Sequence, residues 1–312
     1  MGGLVILLFG GKFLVKGAVD LALRFKISTL VVGMTVVSLG TSAPELFVSV
    51  KAALSGHPDI AIGNVVGSNI ANFALVLAVT CMIFPISVSR NSIRIDWPVM
   101  MAASIVFYIF ILTNGNLEIW EGVLFVAALI IFVIWLIRKS RKEGIEAQAE
   151  ESEFIGKQSH SPLLKTILFV VLGCIGLAFG ADWLVKGATG IAGTFGISER
   201  VIALTMIAVG TSIPELATST IAAFKKHTDL ALGNLIGSNI FNILGILGVS
   251  AIFGKGIKVN ERILDFDIFW MLGISALIFP FMVSKKRLTR LEGTILLLIY
   301  IVYITVILKF VV

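Results

Sequence analysis

Shifted by 170 residues, the chain aligns with itself without a gap. "FLVKGAVDLALRFKIS" (13–28) falls on "WLVKGATGIAGTFGIS" (183–198), and "GTSAPEL" (40–46) falls on "GTSIPEL" (210–216). "IGNVVGSNIANF" (62–73) falls on "LGNLIGSNIFNI" (232–243). Between positions 12 and 80, 32 of 69 pairs are identical, too many for shared apolar composition to produce. The period is also far too long for a solenoid repeat.

What lies between the copies decides what the repeat means. Of the 312 residues only 14% are charged and 57% are hydrophobic, against about 25% charged in a soluble domain. Ten apolar spans follow one another, near 1–23, 28–54, 58–84, 96–113, 117–137, 163–190, 198–224, 228–253, 267–284 and 290–308. Runs of this length read as membrane helices. Five spans separate any residue from its copy, and five is odd, so the second copy crosses the membrane upside down. The expected fold is an all-α polytopic membrane protein with ten transmembrane helices in two inverted-topology repeats. The first repeat covers 1–137 and the second 163–312. Inverted repeats are typical of secondary transporters, whose sites lie near the midplane where the halves meet.

Between the repeats, "RKSRKEGIEAQAEESEFIGKQSHSP" (138–162) is the one long polar stretch, too short for a domain and expected to be a flexible, solvated linker. Lys and Arg set the orientation. Sixteen fall in the odd-numbered loops, the linker included, and six on the other side. Both termini are therefore expected outside and the linker in the cytoplasm of a cell-membrane protein. Read this way, the net charge of +6 reports topology and does not suggest nucleic acid. Cys81 and Cys174 sit in apolar segments and suggest inert buried thiols without a disulfide framework. No cleavable signal peptide is expected, since no basic n-region precedes the first apolar run.

The motif carries groups that lipid-facing sequence avoids. Pro44 has no N–H and clashes with the carbonyl four residues back, so it loosens the helix at Gly40 and Thr41. Freed carbonyls in a membrane need a partner, and a cation can be one. Thr41 and Glu45 share a helical face, with Ser38 on the same side and Ser42 a residue further round. In the next span Asn64, Ser68 and Asn72 recur every four residues, with Asn69 beside them. Gly63 and Gly67 have the spacing that lets helices approach closely. The second copy repeats the set with Thr211, Ser212, Glu215, Gly233, Asn234, Gly237, Ser238, Asn239 and Asn242. A lone Ser or Thr in a membrane helix ordinarily bonds its own backbone. A lone GxxxG ordinarily only packs. A carboxylate within the membrane is a functional signal by itself, because burying it is costly. All of these coincide here, twice and in register. The donors are all oxygen, without Cys or His, which points to hard cations such as Ca²⁺ or Na⁺ and away from zinc or copper. Lys16 and Lys186 also repeat and read as snorkelling residues, while His57 and His227 read as solvated loop residues.

With these residues in view, the chain resembles the sodium/calcium exchangers of the cation/calcium exchanger superfamily over its whole length. The resemblance rests on "GTSAPE" with "GNVVGSNIAN" and on "GTSIPE" with "GNLIGSNIFN". It implies that Glu45 and Glu215 are the central ion ligands. It implies further ligands at Thr41, Ser42, Thr211, Ser212, Ser68, Ser238, Asn72 and Asn242, with carbonyls from Ser38 and Ala208. By the same resemblance, four pockets form between the second, third, seventh and eighth spans, and three Na⁺ or one Ca²⁺ occupy them in turn. The first and sixth spans slide across this core. Some relatives, among them the potassium-dependent branch, carry Asp where this chain has Asn242, so amides at Asn72 and Asn242 resemble the potassium-independent exchangers.

The activity implied is antiport of Na⁺ against Ca²⁺, normally expelling Ca²⁺, with no cofactor, the lipid bilayer as surroundings and no requirement for an oligomer. Two other readings use the same residues. A Ca²⁺/H⁺ antiporter would use Glu45 and Glu215 as proton carriers. A cation channel would need a continuous pore, which the breaks in opposite copies argue against. An enzyme is disfavoured, because Ser42 and Ser212 have no nearby His and no metal-hydrolase motif is present.

Overall fold

The computed structural model describes residues 2–150, 161–194, 210–259 and 263–311. It is all-helical apart from four two-residue strands. Helix α1 is Gly2–Phe25. A pair follows, α2 (Thr29–Thr41) and α3 (Ala43–Leu54), bent by 49° at the break between them. Then come α4 (Pro58–Ile83), β1 (Ile86–Ser87), α5 (Ser92–Thr113), β2 (Asn116–Leu117) and α6 (Ile119–Glu150). The second half continues with α7 (Leu163–Thr194), α8 (Ile213–Phe224), α9 (Thr228–Phe253) and β3 (Ile257–Lys258). It ends with α10 (Asp265–Lys285), β4 (Arg287–Leu288) and α11 (Arg290–Val311).

Among the described residues, seven helices are long and apolar enough to cross a membrane, or eight if α2 and α3 form one broken span. The chain is a membrane protein. Of the ten spans expected from sequence, the first corresponds to α1, a 24-residue helix outside that set of seven. The seventh, 198–224, is described only from Gly210 onward, and Ala208 lies outside the described residues.

Burial sorts the spans into two kinds. The most apolar windows of α4 and α9 are 78% and 83% buried, whereas those of α5, α6, α7, α10 and α11 are 22–33% buried. So α4 and α9 form the centre and the others present Leu, Ile and Phe to lipid. Both central helices carry the polar stripe, and only a span surrounded by protein can hold such a stripe at membrane depth. The two halves are also tied by β1 with β4 and β2 with β3, antiparallel two-residue pairs at the span ends. These pairs give backbone polar groups partners where the helices stop.

Small residues set the closest approaches. A Cβ on Gly10 of α1 would sit 2.8 Å from the backbone nitrogen of Leu177 in α7, so these two helices lie backbone to backbone. Gly233 and Gly237 of α9 admit Leu30 and Met34 of α2 in the same way, the role expected from their spacing. The residues aligned with Leu30 and Met34 in the second copy, Arg200 and Leu204, lie outside the described residues.

The polar stretch after the fifth span differs from expectation. Helix α6 continues to Glu150, through the first half of the linker 138–162. Arg, Lys, Glu, Ala and Gln are strong helix formers, and Lys139 pairs with Glu143 one turn on, at 3.8 Å. Residues 151–160 lie outside the described residues.

Candidate ion-binding site

The break between α2 and α3 positions the first carboxylate. Pro44 has no N–H to offer the carbonyl of Gly40. Ser42, at φ −85° and ψ 8°, ends one helix and begins the next. Its N–H donates to Ser38 O at 2.9 Å, and its carbonyl accepts from Leu46 N at 3.0 Å. Ser212 has the same conformation, φ −85° and ψ 3°, before α8. Glu45 and Glu215 thereby fall in the first turns of α3 and α8, where unpaired N–H groups and the helix dipole favour negative charge.

The fold then brings the two copies face to face. Glu45 and Glu215 are both buried, and the charge of Glu215 acts on Glu45. Ser42 of the first copy donates to Glu215 Oε1 at 3.1 Å. The hydroxyls of Thr41, Ser42 and Ser238 face Glu215, and that of Thr211 faces Glu45. Thr41 Oγ1 donates to Asn234 Oδ1 at 3.1 Å, and its copy Thr211 donates to Asn64 Oδ1 at 3.4 Å. Ser68 and Thr211 share a hydrogen bond of 3.2 Å between their hydroxyls. The hydroxyls of Thr41, Ser42 and Thr211 are thus spent on the other copy's acidic or amide group.

Behind these groups stands support the sequence reading did not single out. Asn64 Nδ2 donates to Ser49 Oγ at 2.9 Å and to the Glu45 carbonyl at 3.2 Å. Asn234 Nδ2 donates to Ser219 Oγ at 3.1 Å. Ser49 and Ser219 fix the amides so that their oxygens turn to the threonines. The signal was present in the sequence, since Ser49 and Ser219 are an identical pair at the 170-residue shift.

Asn72 and Asn242 fall in a neighbouring cluster, with no hydrogen bond to either glutamate among the described residues. Asn72 Nδ2 donates to Asn239 Oδ1 at 2.9 Å, and Asn242 Nδ2 donates to Asn69 Oδ1 at 3.0 Å. Asn69 and Asn239 also donate to each other's carbonyls, at 3.5 and 3.4 Å. Both stripes continue here as π-helix, over Asn72–Leu77 and Phe241–Leu247. Such bulges rotate side chains relative to a regular helix and are frequent at functional sites. Ser38 is buried with its hydroxyl donated to Met34 O at 2.8 Å, and its carbonyl is occupied by Ser42 N–H.

Among the described residues, unpartnered buried oxygens occur elsewhere too, at Asp96 for example, but six gather in these two clusters. Glu45 Oε2, Glu215 Oε2, Ser212 Oγ, Ser238 Oγ, Asn72 Oδ1 and Asn242 Oδ1 have no hydrogen-bond partner among the described residues. All six are oxygens. Buried acceptors without donors are costly, and a cation is the partner that satisfies several of them together. Among the described residues no group of three His, Cys, Asp or Glu could hold a metal. Any cation bound here is held by two carboxylates and neutral oxygens, a donor set suited to Ca²⁺ and Na⁺.

Comparison with known proteins gives the family. The model of the sodium/calcium exchanger protein family matches residues 1–138 and 165–309, and the chain belongs to that family. It is a family of ion transporters and not of enzymes. The chain is 37% identical over 308 residues to the protein CaxA of Alkalimonas amylolytica, covering 96% of this chain and 95% of that one. It is 32% identical over 336 residues to the sodium/calcium exchanger MaX1 of Methanosarcina acetivorans, covering 97% and 96%. The solved structure of the sodium-calcium exchanger NCX_Mj, soaked with Na⁺ and Ca²⁺, superposes with a TM-score of 0.81 at 30% identity, covering 97% of this chain and 95% of that one.

Proposed function

We propose that the chain is a secondary active antiporter that exchanges Na⁺ for Ca²⁺ by alternating access. The carrying observation is the pair Glu45 and Glu215, buried together and each faced by hydroxyls of the other copy. Two carboxylates balance the charge of one Ca²⁺. Thr41, Ser42, Ser68, Thr211, Ser212 and Ser238 supply neutral oxygens to either ion. Asn72, Asn242 and the carbonyls of Ser38 and Ala208 complete the set. Full Ca²⁺ occupancy neutralises both glutamates, so Na⁺ and Ca²⁺ take turns. Adding three Na⁺ beside a Ca²⁺ would leave excess positive charge in a desolvated site. Three Na⁺ against one Ca²⁺ moves one net charge per cycle, worth about 2.3 kcal/mol per 100 mV. The amides at Asn72 and Asn242 suit an exchanger that needs no K⁺.

The framework we propose is ten helices in two inverted five-helix repeats, 1–137 and 163–312, joined by the cytoplasmic segment 138–162. Both termini lie outside the cell membrane, and one chain suffices for transport. The reciprocal bonds between residues 170 apart support this arrangement.

The experiment is uptake of ⁴⁵Ca²⁺ into proteoliposomes in K⁺-free medium. An outward Na⁺ gradient should drive Ca²⁺ in against its own gradient, and an imposed inside-positive voltage should speed it, since one net positive charge leaves per cycle. Uptake driven by a pH gradient and indifferent to Na⁺ would make the chain a Ca²⁺/H⁺ antiporter instead. Ca²⁺ movement only down its own gradient would make it a channel.

A further inference from the structure

Four lysines from three helices gather on one outer face. Lys12 and Lys16 belong to α1, Lys165 to the first turn of α7, and Lys225 follows the end of α8. All four are exposed. The Lys16 and Lys165 ammonium groups lie over the same ring, Phe169, at 4.8 and 5.8 Å from its centroid. Phe13 stacks on that ring at 5.5 Å, and Lys12 lies 5.6 Å from the Phe9 ring. Gly11 is packed against Ile221, which brings the end of α8 alongside α1. Partial burial and the charges of Lys12 and Lys16 then hold Lys225 below the ordinary lysine range. None of the four forms an ion pair with a carboxylate among the described residues.

Lone lysines on a membrane helix extend to the interface and are satisfied by water. These four do something different. They converge beside exposed aromatic rings, two of them over the same Phe169 ring. Lys225 stands one residue beyond the end of α8 and Lys165 in the first turn of α7, so two of the four mark the ends of their spans. Phe9 and Phe13 are 55% and 37% exposed, an apolar surface along α1 that the ammonium groups border. Ammonium groups set over and beside exposed aromatic rings fit an amphiphile with an anionic head.

We propose that Lys12, Lys16, Lys165 and Lys225 bind the phosphate of an anionic phospholipid, whose acyl chain lies along Phe9, Phe13 and Phe169. Basic pockets between membrane helices bind such headgroups, and each lysine adds to the attraction. The lipid would join α1 and α7 to the end of α8, the helix that carries Glu215.

The test is native mass spectrometry of the detergent-solubilised full chain titrated with phosphatidylglycerol, with phosphatidylcholine of the same chains as control. Wild type should hold one phosphatidylglycerol, in preference to phosphatidylcholine by about tenfold or more. The variant with all four lysines changed to Gln should lose that preference, and the variant with all four changed to Arg should keep it. Changing Lys51, Lys255, Lys258 and Lys309 to Gln should leave it intact, which separates a site from net charge. If the four-Gln variant does not fold, Lys16→Gln with Lys165→Gln should reduce the preference about threefold or more. Equal binding of the two lipids to wild type would overturn the proposal. So would an unchanged preference in the Gln variants, or full displacement of the lipid by millimolar inorganic phosphate, which would mark a site for soluble anions.

Discussion

The two copies of the motif are nearly identical in sequence and unlike in surroundings. Thr41 is completely buried, whereas Thr211 is half-buried. Ser42 bonds Glu215, while its copy Ser212 has no partner among the described residues. Ser68 shares a bond with Thr211, while its copy Ser238 has none. Gly40 is pressed on Cys174 of α7, and a Cβ on Gly210 would come within 2.9 Å of a Val185 methyl of the same helix, a milder approach. One chemical design therefore has different hydrogen-bond partners in its two copies, although Ser212, Glu215 and Ser238 are as buried as Ser42, Glu45 and Ser68. In the alternating-access antiporter proposed above, such differences would be exchanged between the copies during the cycle.

Four measurements would break or sharpen the contrast. The carboxylates should show no asymmetry. Glu45→Gln and Glu215→Gln should each lower Na⁺-driven Ca²⁺ uptake about 100-fold or more, since either change leaves a divalent ion in a desolvated site with one counter-charge. Retention of half the wild-type rate by either variant would remove that residue from the site.

Backbone packing should show asymmetry. In Gly40→Ala the added methyl strikes Cys174 Sγ. Overpacking of this kind costs about 1–3 kcal/mol, so transport should fall about tenfold, with Gly210→Ala milder. Cys174→Ala should restore Gly40→Ala, and lack of rescue would show that the contact does not hold the first copy shut.

Access can be read directly. In a background with Cys81→Ala and Cys174→Ala, Thr211→Cys should react with a charged methanethiosulfonate about tenfold faster than Thr41→Cys. Equal rates would show that the exposure of Thr211 does not reach water.

The smallest effect concerns neutral oxygens. Thr41→Ala and Thr211→Ala each remove one hydroxyl donor without stranding a charge, at about 1 kcal/mol. About a fivefold weaker Na⁺ dependence of uptake is expected, with the protein still folded by its thermal unfolding midpoint. Unchanged Na⁺ dependence in both would exclude these hydroxyls from the Na⁺ path.

Much of this was legible in the sequence. The repeat, the helix break at Pro44, the paired glutamates and the all-oxygen donor set follow from residue identity and spacing, because proline chemistry and helical periodicity are local rules. The strong helix formers of 138–150 carried their own warning that α6 would run on beyond the membrane. What sequence could not decide was which oxygens meet. Ser42 reaches Glu215 across 173 positions, and Thr41 reaches Asn234 across 193. Those distances are set by how α2, α4 and α9 cross, through glycine contacts and π-helical turns that rotate a stripe by a fraction of a turn. Sequence also made the copies equal. Their inequality is a property of packing: α7 meets Gly40 through Cys174 and Gly210 through Val185, and nothing in a 170-residue repeat states that difference.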